Sequence, residues 1–305
     1  MRILITGANG VVGKKLYNAL KLRGHNVYGC DLFHSEKPIS RVDISNYREI
    51  EQEIQIIHPD IVYNCAAEFG RWNGEAHYEK VWTTNVIGLK HILRLRDIHR
   101  FNLVHFSSSE VYGDYDKIMS ESVMETTPIV QMNDYAMSKW VNEMQIMNHI
   151  RSQPNRSGNV VRVRLFNTYG PGETYHPFRS VNCVFSYKLL NSMPIKVFKG
   201  HYRSSTYIDD CIDALCNIAT NFIPGRVYNI GANTLHDIEE LAELNLKYTN
   251  ASKDLVTYMD GEPMTTKIKI VDNTLARTEL AFKETVTLDE GVKRTVKWMK
   301  EYYGL

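Results

Sequence analysis

Tyr135 and Lys139 stand four residues apart in Tyr135-Ala136-Met137-Ser138-Lys139, so a helix there puts a phenol and an ammonium on one face. In a chain with 18 tyrosines that spacing arises often by chance, and a surface helix pair would show it too. The run Phe106-Ser107-Ser108-Ser109-Glu110-Val111-Tyr112-Gly113 gives it meaning. It leaves the C-terminal end of a predicted strand, the edge at which doubly wound sheets bind ligands. A serine, a tyrosine and a lysine that meet there can take the proton from an alcohol while a hydride leaves the same carbon. Ser108 is expected to hold the substrate hydroxyl, with Ser107 and Ser109 as adjacent alternatives. Tyr135 is expected to be the base. A neighbouring ammonium, together with a positive ring on the hydride acceptor, favours the phenolate, which predicts a lowered phenol pKa.

The hydride needs an acceptor, and the N-terminus supplies a site for one. The first apolar run, Ile3-Leu4-Ile5, leads straight into Thr6-Gly7-Ala8-Asn9-Gly10-Val11-Val12-Gly13 and then into an amphipathic helix. Gly7 permits the tight turn, Gly10 lets backbone amides approach a pyrophosphate, and Gly13 allows close packing of helix on strand. Asn9 and Val11 complete the turn. Asp31 ends the second strand about 20 residues on, where a carboxylate accepts hydrogen bonds from an adenosine ribose and repels a 2′-phosphate. The expected cofactor is therefore NAD, with Lys139 also reaching the nicotinamide ribose. Asp43 and Ile44 follow in a loop placed to border the adenine, or to be a solvated Asp beside a core Ile.

These residues need a scaffold, and the chain's periodicity describes one. Short β-branched runs at 3–5, 27–30, 61–65, 103–106 and 160–166 alternate with helical patterns near 11–23, 46–57, 76–99 and 134–151. The alternation implies an α/β fold, a Rossmann-type doubly wound parallel sheet, with a smaller C-terminal substrate-binding domain. The expected division is 1–168 for the dinucleotide lobe, its sheet completed by about 204–235, and 169–305 mainly for substrate. Length (305 residues), 43% hydrophobic content and 23% charged content fit an ordinary globular protein. Against 36 Lys and Arg stand 35 Asp and Glu, without the basic excess that nucleic-acid binding requires. Five cysteines without a C-x-x-C pair argue against a disulfide framework and a cysteine metal site, so no metal is expected and a reducing cytoplasm fits. No run approaches the roughly 20 apolar residues of a membrane span, so a soluble protein is expected.

Together, T-G-x-x-G-x-x-G, Asn-Cys-Ala-Ala at 64–67, Ser-Ser-Ser-Glu-Val-Tyr-Gly, Tyr-x-x-x-Lys, Asn-Thr-Tyr-Gly-Pro-Gly at 167–172 and Arg203 to Asp210 resemble the extended short-chain dehydrogenase/reductase family of nucleotide-sugar epimerases, dehydratases and decarboxylases. The resemblance implies tightly bound NAD, a nucleotide-diphosphate sugar as substrate and a homodimer built from two helices per subunit. It places Ala66 against the cofactor. It also places Asn167 and Arg203 around the sugar nucleotide, where Ser109 and Arg179 are further candidates.

Two departures bear on the reaction. Glu110 occupies the position of a dehydratase glutamate, but Ser109 stands where the dehydratases carry an aspartate, and decarboxylases share Glu-Val-Tyr-Gly. Glu110 is therefore either catalytic or a strand-end carboxylate bonded to backbone. If it follows the strand alternation it emerges on the side of Ser108. Met259 and Asp260 replace an arginine that grips the diphosphate in many relatives, so Arg179, Arg203 or Lys267 must supply that charge. A decarboxylase would also need a cation for a substrate carboxylate, for which Arg71, Arg179 and Arg203 are candidates. The expected reaction is oxidation at carbon 4 with 4-epimerisation as the outcome. Decarboxylation or 4,6-dehydration through Glu110 is the alternative, and a catalytically silent NAD-binding regulator is a reading of another class.

Overall fold

Successive residues of the central strands enter two different cores. In β1 (Arg2–Thr6), Ile3 and Ile5 join one apolar cluster and Leu4 the other. In β4 (Ile61–Asn64), Ile61 and Tyr63 face the first cluster and Val62 the second. This two-residue alternation with apolar side chains on both faces requires helices on both faces. They are present: α1 (Val11–Leu22) and the helix Ile208–Thr220 cover one side. The other side is covered by α2 (Tyr47–Ile57) and the helix Gly88–His99. The computed structural model describes residues 1–33, 38–152 and 159–305.

All neighbours in the seven-stranded sheet are parallel, giving a Rossmann-type doubly wound sheet. The order runs from Val227–Ile230 through Val160–Leu165, β5 (Asn102–Ser108), β4, β1 and β2 (Asn26–Asp31) to β3 (Ile39–Arg41). The edge strand β3 was not among the expected runs; three residues are too few to show a period. The C-terminal ends of β1, β4 and β5 share one edge, so the glycine turn, residues 65–70 and the serine run emerge side by side.

The expected helix over 76–99 is divided. Arg71–Ala76 and Tyr78–Val81 precede a π-helical stretch, Trp82–Ile87, before Gly88–His99 begins. Inside the wide turn, Asn85 accepts from Glu68 N at 2.9 Å and donates to Glu68 O and Ser138 Oγ at 3.0 Å each. The interruption therefore ties the segment after β4 to the Tyr135 helix, Asp134–Ser152, as such bulges often do at sites.

Beyond residue 168 a second cluster forms around Phe185, Leu189, Val197, Leu241 and Val296. A four-stranded ribbon knits it to the first part of the chain, in the order Leu235–Asp237, Tyr202–Ser204, Ile268–Val271 and Ile118–Met119. Among the described residues, no helix is long and apolar enough to cross a membrane.

Candidate active site

A cleft of about 830 Å³ opens along the shared strand edge. At one end lies the glycine turn. Gly7 has φ +68°, and a Cβ there would lie 2.7 Å from the Ala66 backbone; a Cβ on Gly13 would lie 2.1 Å from Gly7 O. Both positions therefore require glycine. The N-cap of α1 is Gly10, which has no side chain to cap the first turn, and the amides there carry the positive end of the helix dipole. Asn9, Gly10 and Val11 also line the cleft. Asp31 accepts from Asn9 N at 2.9 Å and Phe33 N at 3.1 Å, which fixes the turn's outer arm beside its own carboxylate. Asp43 and Ile44 line the same end, with Asp43 accepting from Ser45 N and Oγ at 2.8 and 2.7 Å. A helix start on glycine, glycines no side chain could replace and a carboxylate beside the turn fit NAD.

At the centre, the three adjacent serines separate by their partners. Ser107 Oγ donates to Glu143 Oε1 at 2.6 Å and is committed to the interior. Ser108 lies beside the Tyr135 phenol on the cleft wall and accepts from Glu110 N at 3.2 Å. Ser109 is buried along the cleft wall. Close approach at Gly74, where a Cβ would lie 2.9 Å from Tyr135 N, seats the tyrosine's helix against the segment after β4. Lys139 Nζ donates to Phe106 O at 2.8 Å and lies 5.8 Å from the Tyr135 ring centroid.

The expected lowering of the phenol pKa is not a property of the chain by itself. Burial pushes Tyr135 up to about 12; the neighbouring Ser108 hydroxyl opposes this, and the Glu110 charge adds to it. Lys139 is also buried, and loss of hydration brings it down to about 8. Two desolvated partners move toward neutrality, the reverse of what an ion pair in water would do.

The placement of Glu110 also differs from strand alternation. Ser109–Tyr112 is a 3-10 turn, started by the Ser108 side chain, so no two-residue period applies beyond β5. Glu110 still reaches the cleft, with its side chain 16% exposed, because its carboxylate is drawn to Lys269. Burial alone would raise its pKa; Lys269, Arg71 and Arg203 outweigh that and hold it down to about 2. Lys269, 2% exposed, was not anticipated. In Ile268-Lys269-Ile270-Val271 the isoleucines look like the inward face, yet Lys269 and Val271 are the buried pair.

Toward the smaller lobe, Asn167 adopts φ +39° and its buried Oδ1 has no partner. Arg179 lies 3.9 Å over the Phe69 ring, with its buried Nε unpartnered. Arg203 donates to Tyr202 O and Lys267 O at 2.8 and 2.9 Å and lies 3.8 Å from Glu262. Arg71 reaches across to Glu262 at 2.7 Å. All four line the cleft, whereas Lys267 is exposed and does not. Glu173, receiving Ser180 N and Oγ at 3.0 and 2.6 Å, and Glu262 are lining carboxylates without any sequence signal.

A glycine turn on a parallel sheet, opening into a cleft with a serine, tyrosine and lysine, defines a dinucleotide-dependent enzyme acting on an alcohol or its ketone. The sequence pattern of the NAD dependent epimerase/dehydratase family matches residues 3–231, and the chain belongs to that family. It is 27% identical to a dTDP-glucose 4,6-dehydratase of Streptomyces niveus, over 99% of this chain and 93% of that one. It is 26% identical to a UDP-N-acetyl-alpha-D-glucosaminuronate decarboxylase of Bacillus cytotoxicus, over 98% of each. The UDP-glucuronic acid 4-epimerase of Bacillus cereus, solved with UDP-glucuronic acid and NAD, superposes with a TM-score of 0.85 at 25% identity, covering 99% of this chain and 100% of that one. NAD is the cofactor of the family, as the turn and Asp31 led one to expect.

Proposed function

We propose that the protein is a 4-epimerase of nucleotide-diphosphate hexoses. The observation that carries this reading is the convergence of Ser108, Tyr135 and Lys139 on one cleft, with Glu110 beside them held in an ion pair. The named relatives divide among dehydratase, decarboxylase and 4-epimerase, each acting on a nucleotide sugar, so they support the substrate class and leave the outcome to the site.

Bound NAD supplies the hydride acceptor and, when oxidised, a positive ring that favours the phenolate. Ser108 and Tyr135 hold the hydroxyl on carbon 4, and Tyr135 takes its proton as the hydride leaves. Tyr135 returns the proton once the ketone has turned its other face. No proton at carbon 5 moves, so Glu110 has no part in the transfer. Gly7, Asn9, Gly10, Val11 and Gly13 take the pyrophosphate of the cofactor, Asp31 its ribose, Asp43 and Ile44 its adenine. Ala66, Tyr135 and Lys139 hold the nicotinamide end. Ser109, Asn167, Arg179 and Arg203 take the sugar nucleotide; the unpartnered Asn167 Oδ1 and Arg179 Nε support this. In this reading residues 1–168 with the later sheet strand serve NAD, and 169–305 mainly serve the substrate. The protein works as a homodimer in the cytoplasm, where its five free cysteines stay reduced.

Decarboxylation is the second reading, favoured by Arg71 and Arg203 on the cleft wall. Incubation with a panel of nucleotide sugars decides: unchanged mass with inverted carbon 4 supports the epimerase, and loss of carbon dioxide or water overturns it.

A further inference from the structure

The Glu110–Lys269 pair joins two parts of the chain 159 residues apart. Lys269 lies in register with Arg203 on neighbouring parallel strands of the ribbon, and the next strand on its other side is Ile118–Met119. From there its ammonium crosses to the turn that follows β5. Glu110 in turn donates its backbone N–H to Ser108 Oγ, and both Ser108 and the Glu110 charge act on the Tyr135 phenol. The grip on the carboxylate thus lies beside the serine and the phenol of the cleft. The charged groups facing Glu110 are Lys269, Arg71 and Arg203, with the Tyr135 phenol on the cleft side. Arg71 is engaged by Glu262, and Arg203 by two carbonyl oxygens, so Lys269 is the cation bonded to Glu110 itself.

We propose that Lys269 is a positioning residue that withholds Glu110 from acting as a base, so that a sugar oxidised at carbon 4 keeps its carbon 5 hydrogen and is reduced again. The inference rests on the carbon 4 oxidation proposed above. A ketone at carbon 4 acidifies the hydrogen on carbon 5. A free carboxylate beside it can take that proton, the C–H electron pair moving into the enolate and the proton residing on the carboxyl group. Returning a proton to carbon 5 reverses the step without net oxidation; expulsion of a leaving group from carbon 6 diverts it to elimination. The strength of such a base follows its proton affinity, which the ammonium lowers. Without Lys269, burial is no longer outweighed by a bonded cation, and Glu110 becomes a stronger base.

The test uses full-length enzyme with NAD bound, in heavy water, with UDP-glucose, UDP-galactose and dTDP-glucose as probes. Deuterium at carbon 5 and inversion at carbon 4 are read together. Wild-type enzyme is expected to invert carbon 4 without deuterium at carbon 5. Lys269→Met should raise carbon 5 exchange roughly tenfold or more over wild type, Lys269→Arg should restore the wild-type pattern, and Glu110→Gln with Lys269→Met should abolish the exchange. A merely structural lysine would slow all steps together and yield no isotope at carbon 5. If Lys269→Met fails to fold, Lys269→Gln, which keeps a donor and removes the charge, is read the same way. A charge-removing variant that inverts carbon 4 without exchange overturns the inference. Wild-type enzyme that exchanges carbon 5 unaided overturns it too, while carbon 4 oxidation stands. Wild-type enzyme that reduces its NAD with none of the three sugars overturns the site reading and the inference with it.

Discussion

Glu143, fully buried, and Glu110, half-buried, are both carboxylates held near a pKa of about 2 by neighbouring cations, yet they sit in opposite surroundings. Glu143 is fully buried between the sheet and the Tyr135 helix. It accepts from Ser107 at 2.6 Å, from Arg164 at 2.8 and 2.7 Å and from Arg162 at 3.3 Å. Every partner lies in the dinucleotide lobe. Glu110 stands at the boundary between that lobe and the ribbon, is part of the cleft wall and owes its charge mainly to one lysine from the far end of the chain. A strongly shifted pKa therefore marks both a structural network and a site. What separates them is whether the carboxylate faces a cavity a ligand can enter.

The largest expected effect lies on the interior side of this comparison. Glu143→Ala leaves Arg162 and Arg164 buried without their carboxylate and is expected to cost about 3–5 kcal/mol of stability, read by chemical denaturation. An unchanged denaturation midpoint would show that the arginines find other partners. On the cleft side, Tyr135→Phe should reduce turnover roughly 100-fold or more while the thermal midpoint and NAD content stay near wild type. Wild-type NAD reduction by substrate in that variant would remove Tyr135 as the base.

Asp31 sharpens the contrast, being a carboxylate held by backbone amides instead of cations. Asp31→Ala should weaken NAD binding by about 1–3 kcal/mol in titration calorimetry, since a charge-assisted bond is lost. Equal affinity of the wild type for NAD and NADP would show that Asp31 does not select.

The smallest effect concerns acid. The folded pKa of Glu143 lies below its ordinary value of 4.5, so its contribution to stability is full above that pH and is lost as pH falls toward about 2. Glu143→Gln should flatten stability across that window. Thermal midpoints of both proteins between pH 5 and pH 3 check this, and parallel curves would assign acid sensitivity to other groups.

Much of the scaffold and half of the site were legible before any coordinates. The glycine turn, Asp31, Ser108 and the Tyr135–Lys139 pair all fall where strand, turn and helix follow one another directly. Arg226–Gly231 reads as a strand, and Val227–Ile230 does join the sheet. The stretch 76–99 reads as one helix because the π turn at Trp82–Ile87 changes the period without changing composition. For Tyr135 without its cofactor, spacing shows which charges are near but not how much water each has lost, and burial sets the direction.

By itself the sequence determined what depends on neighbours in the chain: the alternation that sends side chains to two cores, the glycines at which a Cβ cannot fit, and two groups one helical turn apart. Tertiary structure alone decided which of three serines meets the phenol, and that a lysine 159 residues away neutralises Glu110. The reason is physical. Backbone geometry repeats over a few residues and leaves a period in the sequence, whereas an ion pair between lobes depends on how two separately packed cores meet, which no local period records.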